Sequence, residues 1–346
     1  MSHNTPVYPF TAIVGQDDMK CAILANIINP GIGGVLIKGE KGTAKSTAVR
    51  AAAELLPEKK VIKGCPFHCK ADQTLDLCPE CRKLLDSGAK PACEYAKMRV
   101  VELPLSATED RVSGTLDLEH AITAGKKQFE PGVLAAANGN ILYVDEINLL
   151  DDHIIDLLLD AAAMGVNFVE RDGISYMHPS RFLLIGTMNP EEGDLRPQLL
   201  DRFGLSVHVT GEKQPGVRTE IIRRRLAFEK DPEGFCREYE PLQEDLRRQI
   251  LSAQELVREI EPDEQLLETA VRISLFLEVD GHRADLTLVK TAVARAALKG
   301  RTRVNGSDIL AAVRLVMPHR MRKLPFEESR LDMAAVEALI QECYPN

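Results

Sequence analysis

The chain has 346 residues, 45% of them apolar and 27% charged, and a formal net charge of -9 at pH 7. That length allows two domains with cores of their own, and the composition is that of a globular chain rather than a disordered one. The negative balance argues against nucleic acid as the principal ligand, and neither a secretory leader nor the ~20 apolar residues of a membrane helix is legible. A cytoplasmic protein is therefore expected, with its eight cysteines as thiols or metal ligands rather than disulfides.

After a polar start, Asp17 or Asp18 offers a cap for a helix reaching about Ile28. Ile13 and Val14, upstream of the next feature, either wall an adenine pocket or pack on a sheet. Val35-Leu36-Ile37 reads as a buried strand. Residues 47–56 read as a helix stopped by Pro57. Between them runs Gly39-Glu40-Lys41-Gly42-Thr43-Ala44-Lys45-Ser46. Strand, glycine loop and helix are the context of a phosphate-binding loop. Its backbone N–H groups wrap phosphates, and the helix N-terminus adds its positive end. The expected ATP and Mg²⁺ contacts are Gly39, Gly42, Thr43, Ala44, Lys45, Ser46 and Thr47. Lys45 reaches the β- and γ-phosphates and Ser46 holds Mg²⁺. Ala44 stands where glycine is usual, so a right-handed backbone is expected there.

Residues 58–97 differ in character. Cys65-Pro66-Phe67-His68-Cys69 is followed by Cys78-Pro79-Glu80-Cys81 and by Cys93. The C-x3-C and C-x2-C spacings can chelate one ion in pairs. Prolines and charges predict loop and little core, so a metal would act as the staple. Zinc and an iron–sulfur cluster both suit four thiolates. The favoured ligands are Cys65, Cys69, Cys78 and Cys81, with Cys93 as a substitute for Cys65.

A second strand is predicted over 99–103. The stretch 105–137 carries turn signals and a short helix near 118–124. Ile141-Leu142-Tyr143-Val144 is apolar throughout, as in a parallel strand covered on both faces. It ends in Asp145-Glu146, acids at the carboxyl end where ligands of such sheets bind. Asp145 would hold Mg²⁺ through water, and Glu146 would orient or deprotonate the attacking water. A helix follows from Asp151 or Asp152 to Gly165. A hairpin is predicted over 168–176 on an Asp-Gly turn. Residues 182–187 form another buried strand, and Asn189 beyond it can hydrogen-bond the γ-phosphate or the attacking water.

At Leu199-Leu200-Asp201-Arg202-Phe203 a family resemblance is complete. The stretches 39–46, 141–146, 187–190 and 199–203 resemble the Walker A, Walker B, sensor 1 and arginine-finger motifs of an AAA+ ATPase. Leu105-Ser106-Ala107-Thr108-Glu109-Asp110-Arg111-Val112, the run 195–207, the stretch 283–291 and Pro318-His319-Arg320-Met321-Arg322 are similar to the small ATPase subunit of magnesium chelatase. The resemblance covers nearly the whole chain apart from the cysteine insert. It implies an α/β AAA+ P-loop NTPase core with a five-stranded parallel sheet, plus a C-terminal α-helical domain. It makes Arg202 the finger that reaches a neighbouring subunit's nucleotide, and Arg283 the sensor 2 arginine. The catalytic set is then Glu146, Asn189, Arg202 and Arg283. The insertion hairpin is 168–182, and 105–137 is an insert facing partners.

Beyond Thr210 the pattern is helical, with helices expected near 243–259, 263–279, 286–298 and 307–316. Arg218, Arg223, Arg224 and Arg225 form a basic run, read as a solvated face rather than a nucleic-acid site. The domain reading is 1–210 for the core, 211–240 for a linker and 241–346 for the helical domain. The implied function is an ATPase ring subunit that drives Mg²⁺ insertion into protoporphyrin IX. Its partners would be a von Willebrand-type AAA+ subunit and a large porphyrin-binding subunit. A cobalt chelatase subunit or another MoxR-like remodelling ATPase is the alternative within the class. A DNA-linked AAA+ regulator is the alternative outside it.

Overall fold

The computed structural model describes residues 6–40, 42–70, 77–117, 128–171, 174–321 and 331–344. Its contacts divide into two compact units. One runs up to Leu55 and resumes at Met188, and the other is Leu56–Thr187.

In the first unit, strand β1 (Val35–Gly39) lies parallel to a strand at Leu205–Val209, in the register Val35↔Leu205 to Gly39↔Val209. Both strands are mostly apolar, and four of the five residues of each are buried, as suits strands largely covered on two faces. Helix Asp17–Ile28 has Gln16 as its cap residue, and Asp17 and Asp18 lie in its first turn. Helix Lys45–Glu54 follows β1 through the glycine loop.

The rest of this unit is helical: Pro215–Lys230, Pro232–Leu256, Glu264–Phe276, Arg283–Leu298, Gly306–Val316 and Met333–Cys343. Of the stretch read as a linker, 211–240, residues 211–214 and Asp231 lie outside helix. Pro215 and Pro232 each stand in a first turn, where the missing N–H costs nothing. Asn305 and Asp308 close a capping box on Gly306–Val316. The fully buried Asp308 carboxylate also accepts two bonds from Arg301, at 2.8 and 2.7 Å.

In the second unit, β2 (Val100–Glu102), β3 (Ile141–Val144) and β4 (Leu183–Met188) pair in parallel with β3 in the middle. Every residue of β3 and β4 is buried. The strand Leu205–Val209 of the first unit is hereafter β5, so the two units carry two and three parallel strands, the five expected of the fold. Helix Asp152–Met164 ends at Gly165, whose left-handed backbone closes it. The hairpin pairs Val166–Arg171 with Ile174–Pro179, and its Asp172-Gly173 turn lies outside the described residues. The helix predicted near 118–124 also lies outside them.

The cysteine insert is more ordered than its composition predicts. Lys59–Ile62 pairs antiparallel with Cys93–Ala96, and Pro79–Asp86 is a helix. Ile62, Phe67, Cys69, Leu77, Cys78, Cys81 and Ala135 form a small buried core. The sequence reading counted the cysteines as thiols or metal ligands. As compact apolar groups they also fill a core.

Candidate functional site

The glycine loop takes its shape from backbone constraints. Gly39 has φ +152°, and a Cβ there would meet the Val209 carbonyl oxygen at 2.0 Å. Only glycine permits the close passage of β1 along β5 at that point. Gly42 has φ +81° with open space around it, so its demand is purely conformational. Thr43 Oγ1 donates to the Glu40 carbonyl at 2.8 Å, closing the turn. Ala44 corrects the sequence reading. It is left-handed, at φ 62° and ψ 21°, as the cap residue of helix Lys45–Glu54. The loop must reverse direction to open the helix, and alanine bears the roughly 1–2 kcal/mol this costs. Lys45 Nζ folds back onto the loop, donating to the Gly39 carbonyl and, at 3.3 Å, to that of Glu40. Ser46 is exposed and Thr47 half-buried in the first turn of the helix. Ile13 is buried and Val14 partly so.

The second unit presents Asp145 and Glu146 at the end of β3. Asp145 Oδ1 accepts from Thr187 Oγ1 at 2.5 Å and from Tyr143 Oη at 2.9 Å. Burial pushes the Tyr143 hydroxyl above the usual tyrosine range, so it stays a neutral donor. Glu146 is left-handed at φ 52°, and its N–H donates to Thr187 Oγ1 at 3.1 Å. A bulky residue in that conformation is held by its surroundings, and Thr187 is the group holding it. Sequence reasoning placed Thr187 at the start of the sensor 1 stretch without a role of its own, and assigned none to Tyr143. The period of two was a usable signal for the tyrosine, since 143 and 145 share a strand face.

The remaining site residues lie in the first unit. Asn189 is buried, and its Oδ1 accepts from the Glu191 N–H at 3.3 Å, capping the turn Pro190–Glu192. Arg202 closes the short helix Pro197–Arg202 and is partly buried. Its neighbour Asp201 pairs with Arg283, 2.9 Å away, and with Arg320, 3.4 Å away. Arg283 is the first residue of its helix. The Arg320 side chain is 1% exposed and donates to the carbonyls of Val316, Asp201, Phe203 and Gly204. Burial brings its pKa down to about 10, against the pull of Asp201.

Three of the four arginines of the run are engaged within their own unit. Arg223 and Arg224 bind Glu220, Arg225 binds Glu229, and Arg224 also reaches the Ala12 carbonyl.

In the insert, Cys65, Cys69, Cys78 and Cys81 bring their sulfurs within 4.8 Å of one another. Hydrogen bonds from the Cys69 and Cys78 thiols pull the Cys65 thiol down. The same shared bonds push Cys69 and Cys78 up, and burial raises Cys81. Cys93 lies outside the group, its thiol 3.6 Å from the Pro91 carbonyl.

Parallel strands that end in a glycine loop in one unit and in an Asp-Glu pair in the other, with a set of helices towards the C-terminus, are the features of an AAA+ ATPase. The chain matches the AAA domain (dynein-related subfamily) over residues 89–203 and the AAA lid domain over 267–342. It is 54% identical to the magnesium-chelatase subunit ChlI homolog of Methanocaldococcus jannaschii, covering 97% of this chain and 91% of that protein. It is 49% identical to magnesium-chelatase subunit ChlI of Nostoc sp., covering 93% and 86%. A cryo-EM-based structure of the complex between BchI and BchD of magnesium chelatase contains a chain 48% identical, with TM-score 0.55, covering 92% of this chain and 97% of that one. The chain belongs to the family of ChlI-type ATPase subunits of magnesium chelatase. ATP and Mg²⁺ are the cofactors that family membership brings. Among the described residues no helix is long and apolar enough to cross a membrane.

Proposed function

We propose that this chain is the ATP-driven motor of a chelatase, and that its hydrolysis cycle powers insertion of Mg²⁺ into protoporphyrin IX on a larger partner subunit. The observation that carries the reading is 54% and 49% identity, over more than nine-tenths of the chain, to proteins named for magnesium chelatase. The chain works as a homo-oligomeric ring in the cytoplasm, beside a von Willebrand-type AAA+ subunit and a large porphyrin-binding subunit. We take 1–210 as the AAA+ core and 241–346 as the helical domain, joined through 211–240.

The roles follow from phosphoryl-transfer chemistry, in which positioning and charge do most of the catalysis. The N–H groups of Gly39, Gly42, Thr43 and Ala44 cradle phosphate, and Lys45 leaves its loop carbonyls for the β/γ charge. Ser46, with Thr47 beside it, and Asp145 serve Mg²⁺. Glu146 activates water, and Asn189 orients it through its amide. Arg202 stabilises the γ-phosphate of an adjacent subunit, and Arg283 senses phosphate from the lid. Ile13 and Val14 receive the adenine. The cysteine insert holds a structural metal, zinc or an iron–sulfur cluster.

The test is reconstitution. The purified chain is mixed with the two partner subunits of a relative, protoporphyrin IX, Mg²⁺ and ATP, and the metalloporphyrin emission is followed. ATP-dependent Mg-porphyrin formation, lost with Lys45→Ala, is expected. ATP hydrolysis accompanied by insertion of Co²⁺ but not Mg²⁺ would move the assignment to a cobalt chelatase.

A further inference from the structure

We propose that Cys65, Cys69, Cys78 and Cys81 bind a single Zn²⁺ ion as a tetrathiolate, and that this ion fastens the insert to the hairpin of Val166–Arg171 and Ile174–Pro179. The proposal rests on the reading that the insert holds a metal. It names the ion, its four ligands and what the ion holds in place.

The sulfur spacing selects one ion. Zn–S bonds of about 2.3 Å in a tetrahedron place sulfurs about 3.8 Å apart. Cys65 and Cys78 have their sulfurs 3.9 Å apart, and all four lie within 4.8 Å of one another. An iron–sulfur cluster puts two or more irons and bridging sulfides between its cysteines, which spreads them further than this. Three of the four cysteines are buried and Cys65 is partly so, which gives a closed sulfur cage of the kind structural zinc sites use.

The local backbone is built to turn thiols inward. Gly64 at φ 75°, just before Cys65, and His68 at φ 48°, just before Cys69, are both left-handed. Cys78 caps the helix Pro79–Asp86, and its sulfur accepts the Cys81 N–H at 3.4 Å. The Cys78 N–H in turn donates to the Cys69 sulfur at 3.2 Å. Such N–H donors offset thiolate charge and orient the ligands around a cation. Each thiol releases its proton as the metal binds, and nothing is oxidised. Cys93, bonded to the Pro91 carbonyl, takes no part.

The cage is tied to the hairpin at two points. Glu80, between Cys78 and Cys81, accepts a hydrogen bond from Tyr176 Oη at 2.8 Å. Phe67, between Cys65 and Cys69, packs its ring 4.8 Å from that of His178. Phe129 stacks on Tyr176 with centroids 4.2 Å apart and closes the cluster. Both ties originate between paired ligands, so removal of the ion loosens both together.

The experiment uses the full chain, purified anaerobically without added metal. Elemental analysis should find zinc at one ion per chain, without iron or acid-labile sulfide. Cobalt exchanged into the site should give the visible bands of a tetrahedral thiolate complex. Cys78→Ser with Cys81→Ser should lose the zinc, and Cys93→Ser should keep it. Stripping zinc with a chelator should raise amide hydrogen exchange across 166–179. Tyr176→Phe should raise exchange there with zinc still bound. Iron with sulfide would leave the metal reading standing and overturn zinc. Absence of any metal, with all thiols titrating in the native protein, would overturn both. Zinc loss with unchanged hairpin exchange would overturn the fastening role.

Discussion

Arg320 reaches Asp201 across 3.4 Å from inside the protein, while Arg283 reaches the same carboxylate across 2.9 Å from its surface. One acid, adjacent to Arg202, therefore receives two arginines in very different dielectric surroundings. Arg320 is 1% exposed and Arg283 54%. The buried guanidinium also satisfies four backbone carbonyls. Arg320→Ala should cost about 3 kcal/mol, because those acceptors and part of Asp201 lose a buried partner. Arg283→Ala should cost about 0.5 kcal/mol or less, since an exposed pair is screened by solvent. Urea unfolding of the two variants side by side checks the contrast, and equal costs would refute it.

Thr187 joins Asp145 to the strained Glu146 peptide through a single hydroxyl. Thr187→Val keeps the shape and removes both bonds. It should lower kcat for ATP hydrolysis by about 10- to 100-fold, since both acids lose their support. Thr187→Ser should recover most of the activity. Nucleotide affinity from calorimetry should stay within about threefold in both variants. A valine variant with unchanged kcat would remove the positioning role.

Lys45→Ala and Glu146→Gln should fail in different ways. The first removes the cation nearest the β- and γ-phosphates, so tight ATP binding should be lost. The second keeps size and hydrogen bonding but not basicity, so ATP should bind and be hydrolysed more than about 100-fold more slowly. Titration calorimetry with ATP separates the two. Wild-type affinity in Lys45→Ala would sink the phosphate-loop assignment.

Arg202 distinguishes a ring motor from a stand-alone ATPase. If its planar charge acts on the adjacent subunit's nucleotide, Arg202→Ala subunits should bind ATP and assemble but hydrolyse poorly. Mixed with Glu146→Gln subunits they should regain activity, because an intact Glu146 on one chain can then face an intact Arg202 on the next. Steady-state ATPase across mixing ratios reads this out. A flat line near zero, with mixed rings seen by sedimentation, would argue for action within one chain.

His319 gives a pH signature. Burial first, and then the charge of Arg320, hold its pKa well below the ordinary histidine value. Its Nε2 lies 3.0 Å from the Phe203 carbonyl, a neutral donor's position. The unfolded chain takes up a proton near pH 6.5 that the folded chain refuses. The stability held by the neutral ring is therefore full above about pH 6.5 and falls away as pH drops below it. His319→Gln can offer its amide to the same carbonyl without titrating, so its melting temperature should fall less between pH 7 and 5 than that of the wild type. Parallel slopes would reject the account.

Local pattern made much of this molecule readable. The apolar runs at 35–37 and 141–144 appear as buried parallel strands because both faces of such a strand must be covered. The glycine loop before Lys45 was legible because left-handed backbone and close strand passage leave few residue choices. Spacing grouped four of the five cysteines of the insert, and the sulfurs of those four lie within 4.8 Å of one another, since C-x3-C and C-x2-C each bring two thiols to one side of a turn.

What only the tertiary structure decided are contacts between segments remote in sequence. Nothing local shows that Thr187, some 40 residues from Asp145, would supply the hydroxyl under both acids. Nor does Asp201 announce that Arg283, at the start of one helix, and Arg320, in the turn after another, converge on it. The alanine side chain predicted a right-handed backbone at Ala44, and the closure of the loop made it left-handed. The order of the cysteine insert came from packing Phe67 against the hairpin ring of His178. A sequence records propensities over a few residues. Partners brought together by folding are set by where the strands and helices end, and that is a property of the whole packed chain.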